Sequence, residues 1–357
     1  MSAPSVTLGT GVVVDVSGRG SQSGEGAGSS GNGGTFGGSG GLASCADPSV
    51  PFYAADAVIG TVDICDSVVV GSGGGVNGGR GGGGVWITGD VVTIGGAILA
   101  DGATSNASSS SGSGSGGAVC VEADSLLLLG AISAHGAKSG SAAVGAGGGG
   151  RVTLKYCDLT VFQQSPVETY GGVGTDSCVT GGAGTRYDRQ QCGGDAAIHV
   201  VSIDNNRAST LAMTPLDDTA TLPAGVELSE LSIFDGAVVA TRQLTVHSAN
   251  NSEASGSLSV RGGSTVVSAP TSIGGSWSLP PNSMSLVGDY FELLDSHLEA
   301  GKLSVESGTT VEIDETSSVT FDDTASIVAV SDVDIWVSCC DVVDGFVFSR
   351  CCDVVML

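Results

Sequence analysis

Three stretches of the chain open on one pattern at a fixed interval: Gly84-Val-Trp-Ile-Thr, Gly117-Ala-Val-Cys-Val and Gly150-Arg-Val-Thr-Leu, each 33 residues after the last. The first continues through Val91–Ile94 to Ala97-Ile-Leu-Ala, the second through Leu126–Leu129 to Ala131-Ile-Ser-Ala, and the third through Leu159–Val161 to Val167-Glu-Thr. Each unit therefore holds three short apolar or β-branched runs followed by glycine and serine. A repeat of this length decides the fold before any local propensity does. Runs of about four residues are too short for an isolated sheet, and the glycine density rules out helix, since each interior Gly costs about 1 kcal/mol against Ala. They are stable if each run pairs with its equivalent one repeat on.

Three strands per turn, stacked in parallel, predict an all-β chain built as a right-handed parallel β-helix, a β-solenoid. Alternation along the strands places Trp86, Val119 and Val152 in one inward stack and Thr88, Val121 and Leu154 in another. Val85, Ala118 and Arg151 then face out. Glycines are expected at the corners between faces, where a positive φ or a close approach is needed. The run Ser108–Gly117 reads as a corner loop.

Composition shifts near residue 200. Of the 60 glycines, 49 lie in residues 1–200, whereas 22 of the 37 acidic residues lie beyond. The expected organisation is a glycine-rich solenoid over 1–200, an acidic Ser/Val-rich half over 201–338 and a Cys-rich tail over 339–357. In the second half an apolar-Ser/Thr-apolar triplet recurs at Leu231, Leu244, Leu258, Trp277 and Leu303. The stretch 256–266 matches 301–311 at a spacing of 45, two turns of about 22 residues, which predicts continuation of the solenoid. Short strands roughly 10 residues apart also suit an antiparallel sandwich.

The ordered series Gly33–Gly41, Gly71–Gly75, Gly81–Ile87, Gly147–Leu154 and Gly181-Gly-Ala-Gly-Thr-Arg-Tyr187, closed by Ile203-Asp-Asn-Asn206, resembles the glycine-rich, β-helix-like repeat region of large, mostly uncharacterised surface proteins of algae, oomycetes, choanoflagellates and plants. The resemblance covers about Gly33–Asn206. It implies a structural or adhesive role at the cell surface or outside the cell, with no catalytic residues to carry over. Arg186 departs from the pattern, standing where an apolar residue is usual.

A net charge of −25 argues against nucleic acid, which needs clustered Lys and Arg. It argues equally against an anionic membrane surface, and no run of about 18 apolar residues offers a span. No leader is visible, and the abrupt end suggests a piece of a longer product with uncapped ends open to self-association. Other surface proteins or glycans are the remaining partners.

Ten cysteines without a C-x-x-C disfavour a zinc site. In an oxidising compartment they read as staples, with Cys178–Cys192 as one bridge and the vicinal pairs Cys339-Cys340 and Cys351-Cys352 as crosslinks. Asn106 and Asn250 begin glycosylation sequons. The acidic stretch Glu312, Asp314, Glu315, Asp322, Asp323, Asp332 and Asp334 is the candidate calcium region, the one cofactor the composition suggests.

The alternative function is a carbohydrate-active β-helix enzyme acting on polyuronates, which needs converging carboxylates. Asp217-Asp218 and Asp322-Asp323 are adjacent in sequence and so point to opposite faces of a strand. His135, His199, His247 and His297 show no metal spacing and read as solvated or corner residues. A regular face of Thr or Asp would instead mark an ice- or mineral-binding protein, and the Thr residues are scattered. A non-catalytic structural or adhesive module is the reading these observations favour.

Overall fold

The computed structural model describes residues 3–22, 28, 31–43, 61–67, 69–75, 77–105, 111–141, 144–161, 166–208, 210, 212, 214–216 and 228–231. Beyond these it describes, for the most part by backbone alone, the strands between Ser232 and Met356. Among the described residues there is no helix. The described part is all-β, and its strands pair in parallel except at two places.

Each repeat supplies three strand segments. In the first, β3 (Gly84–Ile94) bends near Gly89 and is followed by β4 (Ala97–Leu99). In the second, β5 (Ala118–Leu128) is followed by β6 (Ala131–Ser133). The third has β7 (Arg151–Tyr156), β8 (Asp158–Val161) and β9 (Val167–Glu168). An opening rung, β1 (Ser5–Leu8) and β2 (Val13–Asp15), pairs with β3 and β4. The segments of each unit enclose one core, in which Val85 and Ile87, Val92 and Ile94, and Ile98 and Ala100 come from the three walls of a single repeat.

The observed register corrects the expected one by a residue. Val85 pairs with Val119 and Val119 with Val152, while Trp86 lies opposite Cys120. The inward columns are therefore Val85–Val119–Val152 and Ile87–Val121–Leu154. Thr88, expected inward, is exposed, and Val85, expected outward, is core. Ala118 and Arg151 do point away from this core, but neither reaches solvent, because Phe36 and residues 61–64 cover that face. Trp86 Nε1 donates to Ile64 O at 3.2 Å, and Thr153 Oγ1 donates to Val62 O at 2.8 Å. Arg151 donates to Thr61 O and lies 5.5 Å over the Phe36 ring. Burial pulls its guanidinium down to about 9, still above neutral pH, so a cation is retained inside.

The glycine stretches are not corner loops. Gly112–Gly117 is buried, as are Gly145–Gly150 and Gly181–Gly184. Their amides follow a period of three. Gly145 and Gly148 donate to Gly31 O and Gly34 O, Ala146 and Gly149 to Val179 O and Gly182 O, and Gly147 and Gly150 to Ala137 O and Ala134 O, all at 2.7–2.9 Å. Successive residues thus bond to three different neighbours in rotation. That is the signature of extended, polyproline-II-like segments with three residues per turn and no internal hydrogen bonds, here bonded laterally into an array. Each repeat leaves its third wall along one such segment (100–105, 134–139, 169–174) and returns along another. Glycine is required by space rather than by φ: a Cβ on Gly149 would lie 1.8 Å from Thr169 O, and one on Gly148 would lie 2.0 Å from Gly38 O.

The largest sheet runs on past residue 200. After β7 comes β10 (Thr185–Gln190), parallel to it, then β11 (Ile198–Asp204), antiparallel to β10, and every later strand of the sheet except the last follows β11 in parallel. Strand direction therefore reverses at β10/β11. The buried face changes with it. Arg186 and Asp188 lie opposite Val152 and Leu154, ending both apolar columns in an ion pair of 2.8 Å. Buried Tyr187, Val201 and Leu231 occupy the opposite face, the one on which Thr153 lies. A parallel crossover of constant hand must move to the other face of a sheet when strand direction reverses, so the reversal and the core transfer are one event. The Arg186 departure from an apolar pattern marks the place.

In the second half, Leu231-Ser-Ile233 stacks on Leu258-Ser-Val260 in the largest sheet, and Leu303-Ser-Val305 stacks on Met284-Ser-Leu286 in another. The stretches at 258 and 303, expected to be equivalent at a spacing of 45, thus belong to different sheets. The triplet is common to both sheets and carries no register. Parallel pairing here excludes the antiparallel sandwich for the described strands.

Candidate functional site

The bend in each long strand brings charge together on successive rungs. Thr88, Glu122, Lys155 and Arg189 are in register through β3, β5, β7 and β10. Lys155 Nζ lies 3.1 Å from Asp63 Oδ2 and 3.2 Å from Glu122 Oε1. Burial alone would lower the Lys155 pKa, but the two carboxylates outweigh it and the value rises. This pairing ties residues 61–67 to the sheet edge, beside the disulfide Cys65–Cys120. An open cleft of about 590 Å³ runs along this corner, lined by Asp90, Glu122, Asp124, Tyr156 and Arg189 among others.

A second ladder lies at the end of the third wall. Asp101 Oδ1 accepts from Ser133 Oγ at 2.5 Å and from His135 N at 3.1 Å, and His135 Nε2 lies 3.4 Å from Asp101 Oδ2. The imidazole stacks on Tyr170 at 4.8 Å between centroids. Burial, then Glu168 and Asp101, raise the Tyr170 pKa. The Ser133 hydroxyl donates its hydrogen bond to the carboxylate and not to the imidazole, so the three residues do not form a serine–histidine nucleophile pair. What they do is join one repeat to the next.

His199, on β11, shares a hydrogen bond of 2.6 Å between its Nδ1 and the Tyr187 hydroxyl. Burial raises the Tyr187 pKa and lowers that of His199, with Arg189 adding to the second effect. Protonating His199 opposes folding, so its contribution is neutral above the ordinary histidine pKa of about 6.5 and turns unfavourable as pH falls below it. Melting temperature should therefore drop between pH 7.5 and 5.5. In His199→Asn, which has no ring to protonate, that part of the slope should shrink; an unchanged slope would exclude His199 as its source.

The histidines expected to be solvated thus have partners at 135 and 199; the side chains of His247 and His297 lie outside the described ones. Cys192 pairs with Cys157, not Cys178, at an S–S distance of 2.03 Å. Residues 157 and 192 close the ends of β7 and β10, neighbouring strands, which a search for two cysteines flanking one loop passes over. Cys178 is disulfide-bonded to a partner outside the described residues. Cys339, Cys340, Cys351, Cys352, Asn106, Asn250, Asp217, Asp218, Asp314, Glu315 and Asp332 also lie outside them. Glu312, Asp322, Asp323 and Asp334 sit on strands whose backbone alone is described, Asp322-Asp323 in the register break between the pairs Ala300–Phe321 and Lys302–Ser326. Elsewhere two groupings have metal-ligand proximity, Cys65-Cys120-Glu122 and Cys157-Asp158-Cys192. In both, the sulfurs are already bonded to each other and offer no thiolate.

Sequence reasoning missed Asp63, Asp101, Lys155 and Tyr170. Equivalence at 34 residues between Asp101 and His135 was the available signal. No helix among the described residues is long and apolar enough to cross a membrane. No protein-family model, curated protein or solved structure matches the chain.

Proposed function

We propose that the chain is a non-catalytic structural or adhesive module working outside the cell or at its surface, folded as a right-handed parallel β-helix. The observation that carries this reading is the coupling of backbone ladders with crosslinks. All five described cysteines are in disulfides, a usage expected of oxidising compartments. Three strand walls per repeat, in register over successive units, support the β-helix, and the preference of parallel crossovers for one hand supports its sense. The lateral glycine array adds a second layer of backbone hydrogen bonds, so stiffness is what this construction supplies. The polar ladders at the corner and third wall link rung to rung and fit the same role.

The test combines scattering with thiol chemistry. The intact chain should give an elongated small-angle scattering profile, and peptide mapping without reductant should recover Cys65–Cys120 and Cys157–Cys192. Reduction should lower the melting temperature, because each bridge closes a long loop, 55 and 35 residues apart in sequence, worth about 2–4 kcal/mol. A compact profile, or free thiols in protein secreted from cells, would overturn the reading.

A further inference from the structure

We propose that the opening rung is a self-association site, where β1 of one molecule pairs antiparallel with β1 of a second copy across a two-fold axis. This goes beyond the structural role, which a monomer could fill. In a parallel ladder, alternate residues direct both backbone groups to the same neighbour. Pro4 O accepts from Asp90 N and Val91 N, and Leu8 O from Gly95 N, so Pro4, Val6 and Leu8 are turned to β3. Ser5 and Thr7 present their N–H and C=O groups at the outer edge. In β2, Val12 O accepts from Ala97 N and Val16 N donates to Leu99 O, which leaves Val13 and Asp15 turned outward likewise. Among the described residues no strand pairs with that side of β1 or β2.

Exposed strand edges are normally blunted by charge, proline or bulges. This rung has none within its strands before Asp15. Val12 and Val13 are 44% and 56% exposed, and no charged residue occurs from Ala3 to Val14 in a chain of net charge −25. Charge thus selects both the place and the occupant. Two copies repel one another over most of their surface and meet without repulsion here. The edge is also its own complement, since antiparallel pairing about a two-fold axis sets the Ser5 and Thr7 donors against the same residues' acceptors. The last described strand of the largest sheet, Val355–Met356, pairs antiparallel with Asp334 and Ile335. The two-fold pairing of Ser5 and Thr7 uses the edge up, so it makes a closed dimer and not a head-to-tail filament.

The experiment is light scattering on the full chain across concentration and salt. A dimer is expected, tightening with ionic strength as the acidic surfaces are screened. Thr7→Pro removes an outward N–H that β3 does not use, and Val13→Lys places a charge on the same rung. Each should weaken the dimer by at least about tenfold while leaving the melting temperature of the monomer unchanged. Should Thr7→Pro fail to fold, Val13→Lys decides alone. A monomer at every concentration, an open-ended polymer, or a dimer indifferent to the substitutions would overturn the proposal.

Discussion

Gly149→Ala should leave no stably folded protein at ambient temperature, although it adds one methyl group to a residue in an extended segment with ordinary φ. The new Cβ would lie 1.8 Å from Thr169 O and 2.2 Å from Gly184 N. Both are backbone atoms, and Gly184 N itself donates to Thr169 O at 2.6 Å. No side chain can rotate aside, so relief requires parting segments that are hydrogen-bonded in three directions. Overpacking a core of side chains costs about 1–3 kcal/mol; here the obstacle is the main chain, and a cost above about 4 kcal/mol is expected. Gly194→Ala is the control. It has nothing within 4 Å and no positive φ, so its effect should stay within about 0.5 kcal/mol. Chemical denaturation of the two variants reads the contrast directly. Equal stabilities would mean that the glycine array does not form.

The repeat was legible because its third wall is unambiguous: Ala97-Ile and Ala131-Ile pair as the letters suggest. The first wall was legible in kind but not in register. Aligning on the last glycine before each apolar run places Trp86 over Val119, yet Gly84 is already in the strand, opposite Ala118. A slip of one residue exchanges faces. Alternation could not correct it, because Val85, Trp86 and Ile87 are all apolar. Strands of parallel sheets covered on both sides read as continuous hydrophobic runs, and the cover over Trp86 comes from Ile64 and Cys65, segments with no repeat to announce them. Arg151 misled for the same reason. A charge in an alternating pattern points to solvent, whereas Arg151 is an internal cation over Phe36 whose partners lie far off in sequence. The glycine array had a signal, density of glycine without φ > 0 turn motifs, but its three-residue bonding period exists only between segments. The polar ladders are likewise contacts between repeats, visible in the sequence only once the register is right.

Asn205→Ala should destabilise the chain by about 3 kcal/mol, the largest effect expected of any single polar side chain here. Asn205 is fully buried and stands just beyond β11, where the glycine array runs out of backbone partners. Its Oδ1 accepts from Gly171 N at 2.9 Å, and its Nδ2 donates to Ala208 O at 3.0 Å and to Gly181 O at 3.4 Å. The side-chain amide thereby does what another extended segment does elsewhere, offering one acceptor and donors to neighbours on different sides. The left-handed conformations of Asn206 and Arg207 (φ 50° and 61°) turn the chain immediately after it, and Ala208 N returns to Asn205 O at 2.9 Å. Truncation strands buried groups at about 1–3 kcal/mol each, against about 1 kcal/mol for a bond lost in water. Asn205→Asp separates geometry from chemistry. It keeps the acceptor for Gly171 N but sets a carboxylate against Ala208 O and Gly181 O, so it should be at least as damaging as alanine at pH 7 and recover partly as pH falls toward protonation. Denaturant midpoints of the two variants at pH 7 and pH 5 measure this. If Asn205→Asp were benign at neutral pH, the donors to Ala208 and Gly181 would carry no stability, and the array would end in solvent rather than on this amide.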